Sequence, residues 1–201
     1  MMLFENDSTQ NLLPDTLSEL YYFSNAIAEQ RSRELFQIFK DSIAWKSESI
    51  ILYGKEVMQP RLTAWYGNPE AVYTYSGRTN QPLAFTKELL ELKLIAERYA
   101  GTEFNSVLLN YYRNGNDSMG FHRDNEKELG IKPTIVSISL GAVRDFVVRP
   151  YKKLQLRISL ALDSGSLMLM KGEMQNKWEH ALPKRSNVKD ARINLTFRKI
   201  I

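Results

Sequence analysis

The chain has 201 residues, of which 43% are apolar and 25% charged, a composition typical of one globular domain. It contains no cysteine and two histidines. These counts exclude disulfide bonds, thiolate zinc sites and cysteine nucleophiles, so any metal must be bound by histidine and carboxylate groups.

The charge is unevenly distributed along the chain. Residues 1–50 carry 4 basic and 8 acidic side chains, so residues 51–201 carry the other 23 basic and 15 acidic ones, a net +8. A basic region of this size suits a polyanion such as nucleic acid, although a solvated surface without a partner is an equally ordinary explanation. The sequence contains neither a signal-peptide pattern nor an apolar run long enough to span a membrane. We expect a protein without membrane contact, cytoplasmic by default and nuclear if the source is a eukaryote. A monomer is also expected.

Helical periodicity predicts two helices in the first half of the chain. After an apolar run, Ser24 or Asn25 can cap a helix over residues 26–40, in which apolar side chains recur at helical spacing. A second helix is predicted over residues 86–100, followed by Gly101 as its C-terminal cap. Both apolar stripes are typical of helix faces that pack against a core.

From residue 104 onward, short β-branched runs separated by Gly, Asn and Asp turn signals replace the helical pattern. Because the helices precede the strands instead of alternating with them, a doubly wound parallel sheet is disfavoured. The predicted fold class is mixed α/β with a mainly β core, arranged as a sandwich, jelly roll or barrel. We expect residues 1–50 to form a helical N-terminal extension packed on a core of residues 51–201. The predicted strands span residues 104–112, 134–140, 145–149, 154–162, 166–170 and 192–198.

The last predicted strand, RINLTFR, has one apolar and one polar face, because side chains alternate along a strand. The same alternation places Asn110 and Tyr112 on one face of the strand over 104–112. For a single strand, a polar face toward solvent is the simpler explanation. Two such faces turned inward would line a cavity with donors for an anion, since arginine binds carboxylates bidentately. The polar face of RINLTFR consists of Arg192, Asn194, Thr196 and Arg198.

The segment GFHRDNE is a candidate metal site. In an extended segment His122 and Asp124 point the same way, whereas Arg123 points elsewhere. With His180, the only other histidine, they could form the two-histidine, one-carboxylate triad of non-haem Fe(II) oxygenases. Taken alone, either histidine would more ordinarily be a surface or core residue. The order of a polar strand, His-x-Asp, a distant His and Arg-x-Asn-x-Thr-x-Arg favours the metal site.

Four longer segments carry these motifs in a recognisable order. They are NSVLLNYYRNGNDSMGFHRDNEKELG, IVSISLGAVRDFVVR, SLMLMKGEMQNKWEHALPKR and ARINLTFRKI. Together they resemble the AlkB family of Fe(II)- and 2-oxoglutarate-dependent nucleic-acid dealkylases, and the resemblance covers about residues 50–201. Within the family, LYGKEVMQPR and VYTYSG are most similar to the branch that repairs duplex DNA. The family fold is a double-stranded β-helix, a jelly roll with supporting N-terminal helices, which agrees with the predicted strands.

The resemblance implies an oxygenase site with one iron. Fe(II) would be bound by His122, Asp124 and His180 and would act with O2 and 2-oxoglutarate. The reaction implied converts 2-oxoglutarate to succinate and CO2 and hydroxylates an N-alkyl group, which then leaves as formaldehyde. The iron and the cosubstrate supply this chemistry, while the protein supplies orientation and a dry pocket.

The resemblance also implies a cosubstrate pocket. 2-Oxoglutarate would chelate the metal through its keto acid end, and its distal carboxylate would be held by Arg198 with Tyr112. Arg192 would lie near the other carboxylate. The pocket would be completed by Asn110, Asn194 and Thr196.

For the substrate, the resemblance implies an alkylated base that is flipped out of the duplex, because buried iron cannot reach a stacked base. The base would stack on Tyr75, with Tyr73 nearby, in the segment that also contains Thr74. Asn125 and Glu126 would lie near the polar edge of the base. Without the resemblance, the two tyrosines would be interpreted as half-buried strand residues.

A short aromatic hairpin of the duplex-acting branch fills the gap that a flipped base leaves. Tyr53 and Gly54, preceded by Leu52, match this hairpin, and Lys55 would contact phosphate. An ordinary edge-strand tyrosine is the alternative. Further candidate phosphate contacts, each of which could also be a merely solvated charge, are Arg61, Arg78, Arg113, Lys127, Lys132, Lys152 and Lys153.

The leading hypothesis is a DNA repair enzyme that oxidatively demethylates lesions of the 1-methyladenine and 3-methylcytosine type. Its partner would be alkylated DNA, with duplex favoured and single strands possible. The same chemistry on RNA or on a protein side chain is a second hypothesis. A catalytically silent module that binds damaged bases is a third, although an intact triad and two arginines favour an enzyme.

Overall fold

The computed structural model describes residues 10–52, 54–71, 73–75, 78–152 and 156–201, with the backbone alone for 50–52, 73–75 and 78–80. None of the described helices combines the length and apolar character needed to cross a membrane. In chain order the elements are β1 (Ser18–Phe23), α1 (Glu29–Ser42), β2 (Ser49–Leu52), β3 (Lys55–Met58), β4 (Leu62–Gly67), β5 (Tyr73–Tyr75), β6 (Arg78–Asn80), α2 (Lys87–Ala100), β7 (Ser106–Tyr112), β8 (Met119–His122), β9 (Ile135–Gly141), β10 (Arg144–Pro150), β11 (Ile158–Leu162), β12 (Leu167–Gly172), α3 (Met174–Lys177), β13 (Trp178–Leu182) and β14 (Arg192–Arg198).

A six-stranded antiparallel sheet forms the larger layer, in the order β1-β12-β9-β14-β7-β4. Strand β14 lies near its centre, between β9 and β7, and all seven of its residues are buried. Its apolar residues pack in one core cluster with Leu35 of α1 and Leu92 of α2. The helices therefore cover the apolar face of β14 and leave its polar face toward the opposite side of the sheet.

A four-stranded antiparallel sheet, β11-β10-β13-β8, forms the second layer. A second core cluster joins the two sheets through Leu20 and Met168 of the first and Val148 and Trp178 of the other. Two packed antiparallel sheets with helices on one outer face constitute the predicted jelly roll, and the fold class is confirmed.

The second predicted helix is confirmed almost to the residue. The hydroxyl of Thr86 accepts a hydrogen bond from the backbone N–H of Leu89, which caps the first turn of α2. Gly101 ends the helix with φ +67°, a conformation that glycine adopts without steric cost. Both ends were predictable because capping depends on residues within one turn.

The first predicted helix begins in the wrong place. Residues 18–23, expected to belong to a helical segment, form β1, which pairs with β12 and extends the large sheet. The backbone N–H of Ile27 donates to the carbonyl oxygen of Gly165 at 3.0 Å, so the segment between β1 and α1 is held against the turn that precedes β12. Helix α1 starts at Glu29 without a side-chain cap, and the proposed caps Ser24 and Asn25 are wrong. The division of the chain near residue 50 stays a prediction.

The strand predictions differ from the structure mainly at short elements. Strand β14 has the predicted bounds, but β11 begins at Ile158, four residues later than expected. Strands β8 and β13, with four and five residues, were not predicted as separate strands, although both carry candidate metal ligands. Two small two-stranded sheets, β2–β3 and β5–β6, are separate from the two main sheets.

Candidate metal and cosubstrate site

The pairing of two short strands brings the histidines together. His122 ends β8 and lies directly opposite His180 of β13, with their ring centroids 4.3 Å apart. Asp124 follows β8 by two residues, and the nitrogen and oxygen atoms that the three side chains can offer a metal all lie within 4.8 Å of one another. The structure thus assembles the triad expected from the sequence.

The carboxylate of Asp124 is buried and ionised. Its Oδ1 lies 3.5 Å from Nε2 of His122, and its Oδ2 accepts a hydrogen bond of 2.8 Å from Nη2 of Arg198. Burial alone would raise the pKa of the Asp124 carboxyl, but Arg198, together with the two neighbouring histidines, outweighs burial and brings the pKa to about 2. An anionic oxygen ligand is therefore available throughout the neutral pH range.

Both histidines can present a ring nitrogen to a metal. Burial, followed by the neighbouring His122, lowers the pKa of His180 to about 3, so its imidazole is uncharged at neutral pH. Its Nδ1 is buried and has no hydrogen-bond partner among the described residues. Nδ1 of His122 lies 2.9 Å from the carbonyl oxygen of Gly120, which can only accept, so Nε2 is the nitrogen left free. Two imidazole nitrogens and one carboxylate suit Fe(II).

A cavity of about 460 Å³ adjoins this cluster and is lined by the polar face of β14. The common face of Arg192, Asn194, Thr196 and Arg198, predicted from alternation, lines this cavity and not the solvent, and Asn110 and Tyr112 of β7 line the same cavity. Neighbouring β9 adds Ser137, whose hydroxyl donates to Oδ1 of Asn194 at 2.8 Å. Sequence analysis missed this serine, although the alternating VSISL pattern could have indicated a second polar face beside β14.

The chain matches the model of the 2OG-Fe(II) oxygenase superfamily over residues 19–198. It is 36% identical over 200 residues to the alpha-ketoglutarate-dependent dioxygenase alkB homolog 3 of Bos taurus, covering 94% of this chain and 69% of that protein. It is also 36% identical over 179 residues to the DNA oxidative demethylase ALKBH2 of Homo sapiens, covering 84% and 68%. The chain belongs to the AlkB family. It is a dioxygenase that uses Fe(II) and 2-oxoglutarate.

The fold agrees with that assignment. A solved structure titled "The structure of OsALKBH1" superposes with a TM-score of 0.63 over 94% of this chain and all of that one. The sequence identity is 14%, so this likeness concerns the fold alone.

In this AlkB chain the two arginines of β14 face different surroundings. Arg198 is paired with Asp124, whereas Arg192 donates only to neutral oxygens, those of Ser139 and Asn194 at 2.8 Å each. Nε of Arg192 has no hydrogen-bond partner among the described residues. Burial lowers the pKa of Arg192 to about 10, so the guanidinium remains charged at neutral pH. Its buried positive charge needs an anion.

The register corrects the expected cosubstrate contacts. The resemblance placed Arg198 with Tyr112 at the distal carboxylate, and Arg192 near the other carboxylate. Tyr112 instead lies opposite Arg192, while Arg198 lies opposite Ser106, six residues or about 20 Å further along β14. Because Arg198 also contacts Asp124, it belongs to the metal end of the cavity, and the expected pairing with Tyr112 is wrong.

The residues expected to contact the base are only partly described. The backbone of Tyr73, Thr74 and Tyr75 forms β5, and the contacts of their side chains lie outside what the structure describes. Asn125 is exposed at the cavity, whereas Glu126 is half-buried and its Oε2 has no hydrogen-bond partner among the described residues. The roles of all five residues stay predictions.

The expected hairpin is present. Strands β2 and β3 pair in antiparallel fashion from Ser49 opposite Met58 to Leu52 opposite Lys55, Gly54 has φ +76°, and Lys55 is exposed. Tyr53, the proposed intercalating residue, lies outside the described residues. The finger role therefore remains a prediction.

The candidate phosphate contacts differ in burial and in ion pairing. Arg61 is buried in the cavity wall and donates to Oδ1 of Asn110 at 2.6 Å, so its assignment as a phosphate contact is wrong. Arg113 is paired with Asp117 and Lys132 with Glu173, which compensates both charges. Lys127 and Lys152 are exposed, whereas the side chain of Arg78 and all of Lys153 lie outside the description.

Proposed function

We propose that this protein removes N-alkyl groups from bases in DNA by oxidation that depends on Fe(II) and 2-oxoglutarate. One observation carries the proposal: a single cavity is lined by the His-Asp-His triad, by Arg192 and by Glu126, and neither of the last two has an oppositely charged partner among the described residues. Relatives named as a DNA oxidative demethylase support the choice of substrate.

The metal would be held by His122, Asp124 and His180. When bound, iron and 2-oxoglutarate supply the oxidation, in which O2 is consumed, 2-oxoglutarate becomes succinate and CO2, and the alkyl group is hydroxylated. The protein contributes one carboxylate and two imidazoles in a fixed arrangement. Because the hydroxylated group leaves without enzymatic help, no side chain is assigned as a general base.

The cosubstrate would lie along the polar face of β14. Arg192 and Tyr112 would hold its distal carboxylate, because they lie opposite each other in the cavity wall and the buried Arg192 has no acidic partner among the described residues. Arg198 would hold Asp124 and approach the carboxylate next to the metal. Charge-assisted hydrogen bonds of this kind are stronger than neutral ones and fix orientation.

The base would be recognised by charge as well as by shape. 1-Methyladenine and 3-methylcytosine are cations, and Glu126 offers them a partly desolvated carboxylate oxygen at the cavity. An alkyl group on the pairing edge also weakens the base pair, which reduces the cost of flipping the nucleotide. The proposal therefore favours lesions that combine a positive charge with blocked pairing.

Duplex DNA would be the preferred form of the substrate. The β2–β3 hairpin pairs with neither main sheet, and all four residues of β3 are exposed, so the hairpin is free to contact DNA. Lys55 adds a positive charge next to the turn, and residues 51–201 carry a net +8. A hairpin between the separated strands would hold the gap left by the flipped base.

A turnover assay on matched substrates tests the proposal. Purified protein with Fe(II) and 2-oxoglutarate is incubated with the same 1-methyladenine sequence as duplex DNA, single-stranded DNA and RNA. The expected result is loss of the methyl group fastest in duplex DNA, with no loss in the His122→Ala variant. If no lesion is removed while iron and cosubstrate are demonstrably bound, the substrate assignment fails, and faster turnover of RNA transfers it to RNA.

A further inference from the structure

Asp124 makes three polar contacts, two through its side chain and one through its backbone. Oδ1 faces His122 and Oδ2 accepts from Arg198. The third is its backbone N–H, which donates to Oε1 of Gln175 at 3.0 Å. Asp124 lies two residues beyond the end of β8, where no strand partner is available, so this side chain replaces the hydrogen bond that a sheet would otherwise supply.

Gln175 is built into the interior. It lies on α3 and is 1% exposed, an unusual position for a polar side chain without a structural or functional reason. Its Nε2 donates to Sδ of Met170 at 3.4 Å, a weak acceptor. The amide orientation is determined by Asp124, because only the amide oxygen can accept its N–H.

Helix α3 connects the two parts of the metal site. It runs directly into β13, so Gln175 precedes the ligand His180 by five residues. Arg123 lies between the ligands His122 and Asp124 in the chain. Its Nη1 donates a hydrogen bond of 3.2 Å to the backbone carbonyl oxygen of Asn176 on α3. Two hydrogen bonds therefore join the segment that carries Asp124 to the helix that precedes His180.

We propose that Gln175 is a positioning residue of the metal centre, which sets the carboxylate of Asp124 against the two histidines by holding its backbone N–H. The amide suits this task because its oxygen accepts the hydrogen bond from Asp124 while its nitrogen donates to Met170. Groups that orient metal ligands typically contribute 10- to 100-fold to metal affinity. The inference rests on the metal site of the proposed function and not on its substrate.

Two substitutions distinguish the role of Gln175 as a hydrogen-bond acceptor from its role in packing. Gln175→Met keeps a side chain of similar length and removes the acceptor, whereas Gln175→Glu keeps an acceptor oxygen and loses the donor to Met170. Asn176→Ala is the matched control, since its exposed amide contacts Glu173 and not Asp124. Titration with Mn(II) and 2-oxoglutarate, without nucleic acid, measures metal affinity, and the thermal midpoint of the metal-free proteins reports the fold.

The expected result is a metal affinity about 10-fold or more weaker in Gln175→Met, and within about threefold of the wild type in Gln175→Glu and Asn176→Ala. Equal losses in the Met and Glu variants, or wild-type affinity in the Met variant, would overturn the proposal. Since the titration contains no nucleic acid, a failure of the substrate assignment leaves this result unaffected.

Hydrogen exchange gives a test without any substitution. In the metal-free wild type, the amide of Asp124 should exchange on the order of tenfold more slowly than that of the exposed Asn125. Exchange of both amides at the same rate would show that Gln175 does not hold Asp124, and it would overturn the proposal even if Gln175→Met failed to fold.

Discussion

Arg198 and Asp124 are 74 residues apart in the chain, and a hydrogen bond of 2.8 Å joins them in the buried metal site. The positive charge of Arg198 is therefore matched within the protein, whereas Arg192, six residues earlier on the same strand face, has no acidic partner among the described residues. The two arginines should respond differently to substitution, although both line one cavity.

Arg198→Met is expected to weaken metal binding. Without this guanidinium, burial dominates and raises the pKa of the Asp124 carboxyl, so a proton competes with the metal. The affinity for Mn(II) should fall about 10-fold or more, and the loss should grow as the pH is lowered. Arg198→Lys, which keeps the charge, is the control. Titrations at several pH values check this, and an affinity equal to that of the wild type at every pH would contradict it.

Arg192→Met is expected to weaken binding of 2-oxoglutarate and to leave the metal affinity of the cosubstrate-free protein unchanged. Loss of a buried charge-assisted pair costs about 2 kcal/mol or more, which corresponds to a KM for 2-oxoglutarate raised about 30-fold. Steady-state kinetics with varied 2-oxoglutarate measure the effect. A normal KM for 2-oxoglutarate in this variant, together with a raised KM in Arg198→Met, would show that Arg198 and not Arg192 binds the distal carboxylate.

Glu126→Gln is expected to change lesion preference. The substitution removes the negative charge and keeps the size of the side chain. A partly desolvated charge pair contributes about 1–2 kcal/mol. The kcat/KM for cationic 1-methyladenine should therefore fall on the order of tenfold more than the kcat/KM for neutral 3-methylthymine. The ratio of the two kcat/KM values on otherwise identical oligonucleotides is the measurement. Equal losses of kcat/KM on both lesions would show that Glu126 does not recognise the charge of the base.

Asp117 is expected to make stability depend on pH. Burial acts to raise its pKa, but the hydrogen bonds from the side chain and backbone of Arg113 outweigh it and lower the pKa below 3.8. A lowered pKa means that the stabilisation is fully present above about 3.8, and is lost as the pH falls through the folded-state value. Asp117→Asn should therefore be less stable by about 1–2 kcal/mol at pH 7. Urea denaturation should show this difference unchanged at pH 5 and declining below the unfolded pKa.

The two faces of β14 could be predicted from the sequence because side-chain alternation is a local property. The metal triad was indicated by the order of the motifs along the chain. The ends of α2 were predictable for the same reason, through Thr86 and Gly101. The assignment of the two arginines required long-range information, namely the register of β14 against β7 and the approach of Asp124. The start of α1 also depended on distant pairing, since β1 is held by β12.

The most direct test of the account is the stoichiometry of products on 1-methyladenine in duplex DNA. The account predicts one formaldehyde for each succinate, with both products absent in the His180→Ala variant. Release of succinate without formaldehyde, at full occupancy of iron and 2-oxoglutarate, would show an oxygenase that acts on something other than the methylated base and would contradict the proposed function.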